Sequence, residues 1–442
     1  MKMVNYLKQI LQNNNVFLSG GAGVGKSHLV NALKKDLRLS GKNVIALGST
    51  AISAFNISGV TLHSFFALGI CNTLDELLKL DKKQKEKLVK LQKILKNLDL
   101  LIIDEISMVS AELFELFAFR LRTSQFQGKV LVVGDFLQLP PVLKKEQISE
   151  KSLFSGAYYA FSSLSWADFA FKNVFLKSAK RTNDLLFYNH LSNLRQGRVN
   201  EELLTYFENL LISKQELSRI DDDYTLLCST NKKAELINNE KLNKLEGKLF
   251  EFKALAVKND ANLDELSFEK WRKSLNVSEN LKLKVGAKIV FCINNYEAGY
   301  FNGEQGKVSA FVNEQGKDLI EIEKDNGELI YLDRYSFTLE DLSDDDRVLA
   351  SVSQFPIKLA YAITIHKAQG MSIARLVCDI GWIFENAQLY VALSRASQPQ
   401  NLKLVYEGKD FKAHFIKALK LDENALDFYK KADFIDLEKE VE

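Results

Sequence analysis

Eight consecutive residues, Gly20-Gly21-Ala22-Gly23-Val24-Gly25-Lys26-Ser27, combine backbone freedom with one ammonium and one hydroxyl. Glycines let a loop close tightly round an anion with its N–H groups turned inward. The run fits G-x-x-x-x-G-K-S/T without a mismatch, the pattern of a phosphate-binding loop. In that pattern Lys26 reaches the β- and γ-phosphates of a nucleoside triphosphate, and Ser27 holds Mg²⁺. Leu101-Ile102-Ile103-Asp104-Glu105 then ends an apolar run in two carboxylates. Asp104 is suited to contact Mg²⁺ through its water shell, and Glu105 to polarise an attacking water as general base. Gly134-Asp135-Phe136-Leu137-Gln138 follows, where the uncharged Gln138 can sense the γ-phosphate and Pro140-Pro141 stiffens the next turn. The chemistry implied is hydrolysis of a nucleoside triphosphate.

Such residues need strands to deliver them. Val16-Phe17-Leu18 reads as a buried strand before the loop, and His28 to Leu33 begins the helix after it. Val44 to Leu47, Leu98 to Ile103 and Lys129 to Val133 are further apolar runs of the kind found in parallel sheets. Ligands bind at the carboxyl ends of such strands. Residues 1–65 and 99–177 therefore read as one α/β domain. Residues 66–98 interrupt it as an amphipathic helical insertion, with leucines at 77, 80, 88, 91, 95 and 98 and eight lysines on the other face. Its basic face is read as solvated, with DNA contact the alternative. Tyr224 to Cys228, followed by a polar turn and a helix, repeats the same grammar, so 178–247 and 356–408 read as a second α/β domain. Between them, 248–355 holds short strands punctuated by glycines, the texture of a small antiparallel β-barrel. Residues 409–442 read as a helical tail, either docked or loose.

The 442 residues carry a net charge of only +2, so any nucleic-acid surface must be a local stripe. Four scattered cysteines without a C-x-x-C pair argue against structural zinc and for a reducing cytoplasm. No secretory h-region opens the chain and no apolar run suits a membrane helix, so a membrane partner is not expected.

The discriminating runs lie in the second half. Taken in order, NVFLSGGAGVGKS, ISGVTLHSFF, LLIIDEISMV, VVGDFLQLPPV, AYAITIHKAQGMS and YVALSRAS resemble the Pif-type helicases, beside the RecD-like helicases of superfamily one. The resemblance spans nearly all of residues 16–406. It implies two RecA-like P-loop domains with parallel sheets, ATP and Mg²⁺ in the cleft between them, single-stranded DNA across their tops, and translocation 5′ to 3′. Carried over by position, Arg181 and Arg395 become arginine fingers from the second domain, and Gln369 and Gly370 link the nucleotide to the DNA track. Thr50, Thr61, His63 and Ser64 contact the strand from the first domain, and Thr364, His366 and Lys367 from the second. Short hydroxyls and imidazoles suit phosphate oxygens. Phe65 and Phe66 are candidates for base stacking or for the core, with core favoured for at least one. Implied partners are single-stranded DNA and tailed or forked duplex, with quadruplex and RNA–DNA hybrid left open. A bacterial, nucleoid-associated monomer is the implied setting.

The family's adenine-reading glutamine upstream of the phosphate loop falls near Met3 here, and Gln9 and Gln12 are out of register. Thr182 replaces the glutamine that usually follows Arg181. The alternatives are a single-strand-stimulated translocase that unwinds poorly and a nucleotide-gated binding module. The intact Glu105, Gln138, Arg181 and Arg395 oppose the second. Residues 66–98 are where a duplex-splitting wedge is expected.

Overall fold

The computed structural model describes residues 2–441 apart from 51, 52, 55, 56, 58, 70, 142–158, 221, 262, 276, 296, 315, 342 and 343. The chain forms two compact units. One comprises Met1–Arg198, Glu385–Tyr390 and Leu419–Glu442, the other Val199–Phe384 and Val391–Ala418.

In the first unit, strands β1 (Val16–Gly20), β2 (Val44–Gly48), β3 (Val60–Thr61), β4 (Leu100–Asp104), β5 (Lys129–Gly134) and β6 (Lys172–Leu176) pair in the order β6-β1-β5-β4-β2-β3. Every pairing is parallel. Side chains alternate across the sheet and feed two cores. Phe17, Leu101, Ile103, Val130 and Val132 face a layer containing Phe65, Phe66, Phe114 and Phe117. Leu18, Leu100, Ile102, Leu131 and Val133 face the other layer, where helices α1 (Lys2–Asn13) and α2 (Lys26–Leu39) contribute Leu7, Leu11, Leu29, Val30 and Leu33. Each fully buried side chain of this size stabilises the fold by about 1.5–3 kcal/mol.

Residues 66–98 form two helices, Leu74–Asp81 and Lys85–Lys96, rather than one. The chain turns at 82–84 because Asp81 takes a bidentate bond from buried Arg120 (2.6 and 2.7 Å) while Gln84 donates to the Ala67 carbonyl (2.8 Å). Leu77, Leu91 and Leu95 enter the first core, and most of the lysines face solvent.

Two boundaries differ from expectation. Residues 178–198 lie in the first unit, not the second. The Lys180 and Arg181 N–H groups donate to the Gly23 carbonyl (2.8 and 3.0 Å), which fixes this segment on the phosphate loop. The tail is not purely helical. After helices Phe411–Ala418 and Glu423–Lys431, Phe434–Asp436 pairs in parallel with β6 and becomes the seventh strand of the first sheet.

The second unit holds β7 (Leu211–Ile212) and β8 (Thr225–Cys228), then β9 (Phe250–Lys253), β10 (Leu255–Lys258), β11 (Asn280–Leu283), β12 (Lys288–Phe291), β13 (Gln305–Glu314), β14 (Lys317–Lys324), β15 (Leu329–Leu332), β16 (Tyr335–Asp341), β17 (Asp344–Gln354) and β18 (Ile357–Leu359). It closes with β19 (Ala362–Thr364), β20 (Leu376–Asp379) and β21 (Leu402–Val405). A parallel sheet runs β19-β8-β20-β21-β7. The inserted strands pair antiparallel in three separate sheets, β15-β14-β13-β12-β18, β10-β17-β16 and β11-β9, rather than in one closed ladder. No described helix is long and apolar enough to cross a membrane.

Candidate nucleotide and nucleic-acid site

The phosphate loop bridges β1 and α2. Gly23 has φ +76° and Gly25, which caps α2, has φ +90°, both in the left-handed region where glycine is at ease. A side chain at Gly23 would also stand 2.7 Å from the Arg181 Cβ, so both its conformation and its space require glycine. The Lys26 ammonium donates to the Gly20 and Gly21 carbonyls (2.8 and 2.9 Å). Burial lowers its pKa, while the nearby charges of Asp135, Glu105 and Asp104 act in the opposite sense. Ser27 is exposed in the first turn of α2. The Ala22 N–H donates to the Tyr390 hydroxyl (2.7 Å).

At the end of β4, Asp104 is buried and its Oδ1 accepts the Glu105 N–H (2.9 Å). Burial, then the adjacent Glu105 charge, pushes its pKa up to about 7 against the pull of Lys26. Glu105 sits at φ 54°, ψ 48°, a left-handed conformation that costs a non-glycine residue roughly 1–2 kcal/mol. The strain turns the chain sharply into the short helix Ile106–Met108 and sets Glu105 at the strand end. Among the described residues, no three His, Cys, Asp or Glu cluster to cage a metal. A hydroxyl and a carboxylate with phosphate and water completing the shell is how Mg²⁺ is ordinarily held, so Ser27 and Asp104 fit it.

β5 delivers Asp135, fully buried, against Arg195 in a bidentate pair (Nε–Oδ2 2.8 Å, Nη2–Oδ1 2.7 Å). The Leu137 N–H (3.2 Å) and the Gln138 side-chain amide (3.4 Å) also donate to this carboxylate. Asp135 thus anchors the loop that carries Gln138, which is itself buried.

Thr50, Thr61, His63 and Ser64 gather at the ends of β2 and β3, where Gly48 pairs with Thr61. The Thr61 hydroxyl accepts the Ser64 N–H (3.3 Å) and caps the turn Leu62–Phe65, leaving His63 and Ser64 exposed. Thr50 bonds Ser53 through its hydroxyl (3.1 Å). Phe65 and Phe66 are both core, in an edge-to-face pair at 4.9 Å, so neither is presented for stacking. In the second unit Thr364 is buried at the end of β19 and accepts the Lys367 N–H (3.4 Å), with His366 and Lys367 half-buried beside it. Gln369 is buried and Gly370 exposed at φ +80°. Arg395 is buried, donating to the Val391 carbonyl (2.9 Å) and the Ser394 hydroxyl (2.9 Å). Arg181, expected from the second domain, instead belongs to the unit of the phosphate loop. Met3 packs against the α1–α2 core, while Gln9 and Gln12 are exposed.

A family described as PIF1-like helicase matches residues 3–203. The ATP-dependent DNA helicase Pif1 of Campylobacter jejuni is 54% identical over 444 residues, covering 99% of each chain. This chain belongs to the PIF1-like helicase family. Its fold is similar to that of Bacteroides sp Pif1 in complex with ADP-AlF4 (TM-score 0.78, 28% identity, 97% of this chain and 96% of that one). It is also similar to Bacteroides Pif1 bound to ssDNA (TM-score 0.67, 29% identity, 97% and 96%).

In this PIF1-like helicase, sequence reasoning passed over Asp135, Arg195, Tyr390 and Tyr429. Asp135 stood inside a quoted run, and only its burial against Arg195 reveals its weight. Arg195 closes the helix Leu185–Arg195 and Tyr390 stands inside a matched run, and neither position alone marks it. Tyr429 had no signal at all.

Proposed function

We propose that this chain is an ATP-dependent DNA helicase that moves 5′ to 3′ along single-stranded DNA and separates duplex or structured DNA in replication, repair or recombination. The observation that carries this reading is the gathering of Lys26, Asp104, Glu105 and the Gln138 loop at the carboxyl ends of β1, β4 and β5. It does so in a chain that matches a named ATP-dependent DNA helicase over 99% of its length. The loop Gly20–Ser27 wraps the triphosphate and Lys26 neutralises it. Ser27 and Asp104 hold Mg²⁺, which supplies charge neutralisation to the phosphates when bound. Glu105 orients and deprotonates the attacking water, and Gln138 reports the γ-phosphate. Arg181 adds a cation from beside the phosphate loop, and Arg395 adds one from the second unit, with Gln369 and Gly370 relaying nucleotide state.

Thr50, Thr61, His63 and Ser64 in the first unit, and Thr364, His366 and Lys367 in the second, grip backbone phosphates. Neutral donors position a strand without reading its bases, which suits an enzyme that must pass over any sequence. The helices of 66–98 are the place for a wedge, and the β-rich insertion 248–355 belongs to the second α/β domain. Forked and tailed duplexes are the substrates this arrangement suits, and the chain is proposed to act as a monomer.

The test is ATP hydrolysis with and without single-stranded DNA, then unwinding of 5′-tailed and 3′-tailed duplexes. DNA-stimulated turnover with unwinding from the 5′ tail alone supports the reading. Stimulation without unwinding supports a translocase. Lys26→Ala should lower turnover by about 10²–10³-fold or more while keeping the fold, and retained DNA-stimulated turnover would sink the nucleotide site.

A further inference from the structure

Tyr429 reaches the nucleotide site from the far end of the chain. It lies in the tail helix Glu423–Lys431, whose first turn is held by the Asp422 carboxylate accepting the Asn424 and Ala425 N–H groups. Its hydroxyl donates to Asp135 Oδ1 (3.2 Å), accepts the Phe136 N–H (3.2 Å) and lies 2.5 Å from Ser19 Oγ. A phenol has one proton to give. With that proton on Asp135, Ser19 must be the donor in the third bond. The hydroxyl is then saturated, and it joins the end of β1 to the residues that follow β5, just past the last paired residues of the two strands, Ser19 and Gly134. Ser19 immediately precedes the phosphate loop, and Phe136 lies between Asp135 and Gln138.

The ring is held separately from the hydroxyl. It stacks on Phe434 (5.4 Å, 16°), meets Phe428 edge-on (5.6 Å) and lies 4.8 Å from the Arg195 guanidinium. Packing of the tail therefore does not depend on the oxygen, and the oxygen's role can be tested apart from the fold.

We infer that Tyr429 is a positioning residue for hydrolysis: its hydroxyl fixes the phosphate-loop strand against the loop that carries Gln138, so that Gln138 meets the γ-phosphate. The tail of the chain is on this view a working part of the ATPase. The inference rests on the nucleotide-site reading above. A phenol suits this task because its rigid ring carries the oxygen to a fixed place, and because it can donate to a carboxylate while accepting from the backbone.

The test uses the full chain carrying Tyr429→Phe. MgADP should bind within roughly twofold of the parent, while MgADP with aluminium fluoride binds about tenfold more weakly and DNA-stimulated kcat falls about tenfold at unchanged KM. A melting temperature close to the parent's is expected, since the ring remains. Phe434→Leu should do the reverse, lowering the melting temperature while the folded fraction keeps its kcat. Parental kcat and aluminium-fluoride affinity in Tyr429→Phe would overturn the inference. So would a loss of kcat that only follows the unfolded fraction, or a loss of MgADP affinity equal to the loss for the aluminium-fluoride complex. A dead Lys26→Ala beside a parental Tyr429→Phe would fail this inference alone, whereas an active Lys26→Ala would fail the reading on which it rests.

Discussion

Burial by itself would raise the Asp135 pKa, but the Arg195 guanidinium, doubly hydrogen-bonded to it, and the Lys26 ammonium hold it below its ordinary value. A carboxyl depressed on folding stabilises the native state above its unfolded pKa, about 3.9, and that contribution is lost as pH falls through the folded value. Asp135→Asn keeps the shape and leaves Arg195 buried without a counter-charge, so a loss of about 3–5 kcal/mol is expected. Urea unfolding between neutral pH and pH 2 should show the gap between parent and variant narrowing in acid. A constant gap would mean the carboxylate's charge is not what stabilises the pair. Arg395 poses a different question. Its guanidinium is satisfied by its own helix and by Ser394, so a role at phosphate requires it to exchange those partners. Arg395→Ala should bind ATP as the parent does and turn it over about 10³–10⁵-fold more slowly. Loss of nucleotide binding with unchanged turnover at saturation would contradict the assignment.

Elements were legible where their reasons are local. β1, β4 and β5 are short apolar runs bounded by polar turns, and each leads into residues whose chemistry was readable: Lys26 after Gly20, Asp104, and Gln138 after Gly134. The helix after β8 was equally plain, and in the structure Thr230 caps it at Asn231. Legibility failed where a segment's place depends on a distant backbone. Residues 178–184 carry no side-chain pattern, and two N–H bonds to the Gly23 carbonyl decide their unit. Phe434-Ile435-Asp436 is too short to alternate, and its partner β6 lies about 260 residues earlier. The split of 66–98 into two helices was hidden for the same reason, because the Asp81–Arg120 pair that turns the chain spans 39 residues. Glu105 is a converse case: its carboxylate drew notice for its chemistry, but no pattern in the neighbouring sequence announces its left-handed backbone.

At the scale of the molecule, the first unit is assembled from three separate stretches of chain. The tail closes it by pairing with β6, by Lys177–Asp436 (2.7 Å), by Glu438 accepting the Ser178 N–H (2.9 Å) and by Tyr6–Glu440 (3.1 Å). Removing residues 433–442 should lower the melting transition by roughly 5–10 °C and raise light scattering on heating, because β6 becomes a bare sheet edge. A truncated chain that melts and scatters like the parent would show that the tail strand is not needed to close the sheet. The same connectivity has a consequence during synthesis. A ribosome adding about 5–20 residues per second needs on the order of 13–52 s to make the 260 residues that separate Asn173 from Asp433. Through that interval the nascent first unit carries β6 uncovered and Asp135 without Tyr429, so its ATPase cannot mature before translation of the second unit is finished.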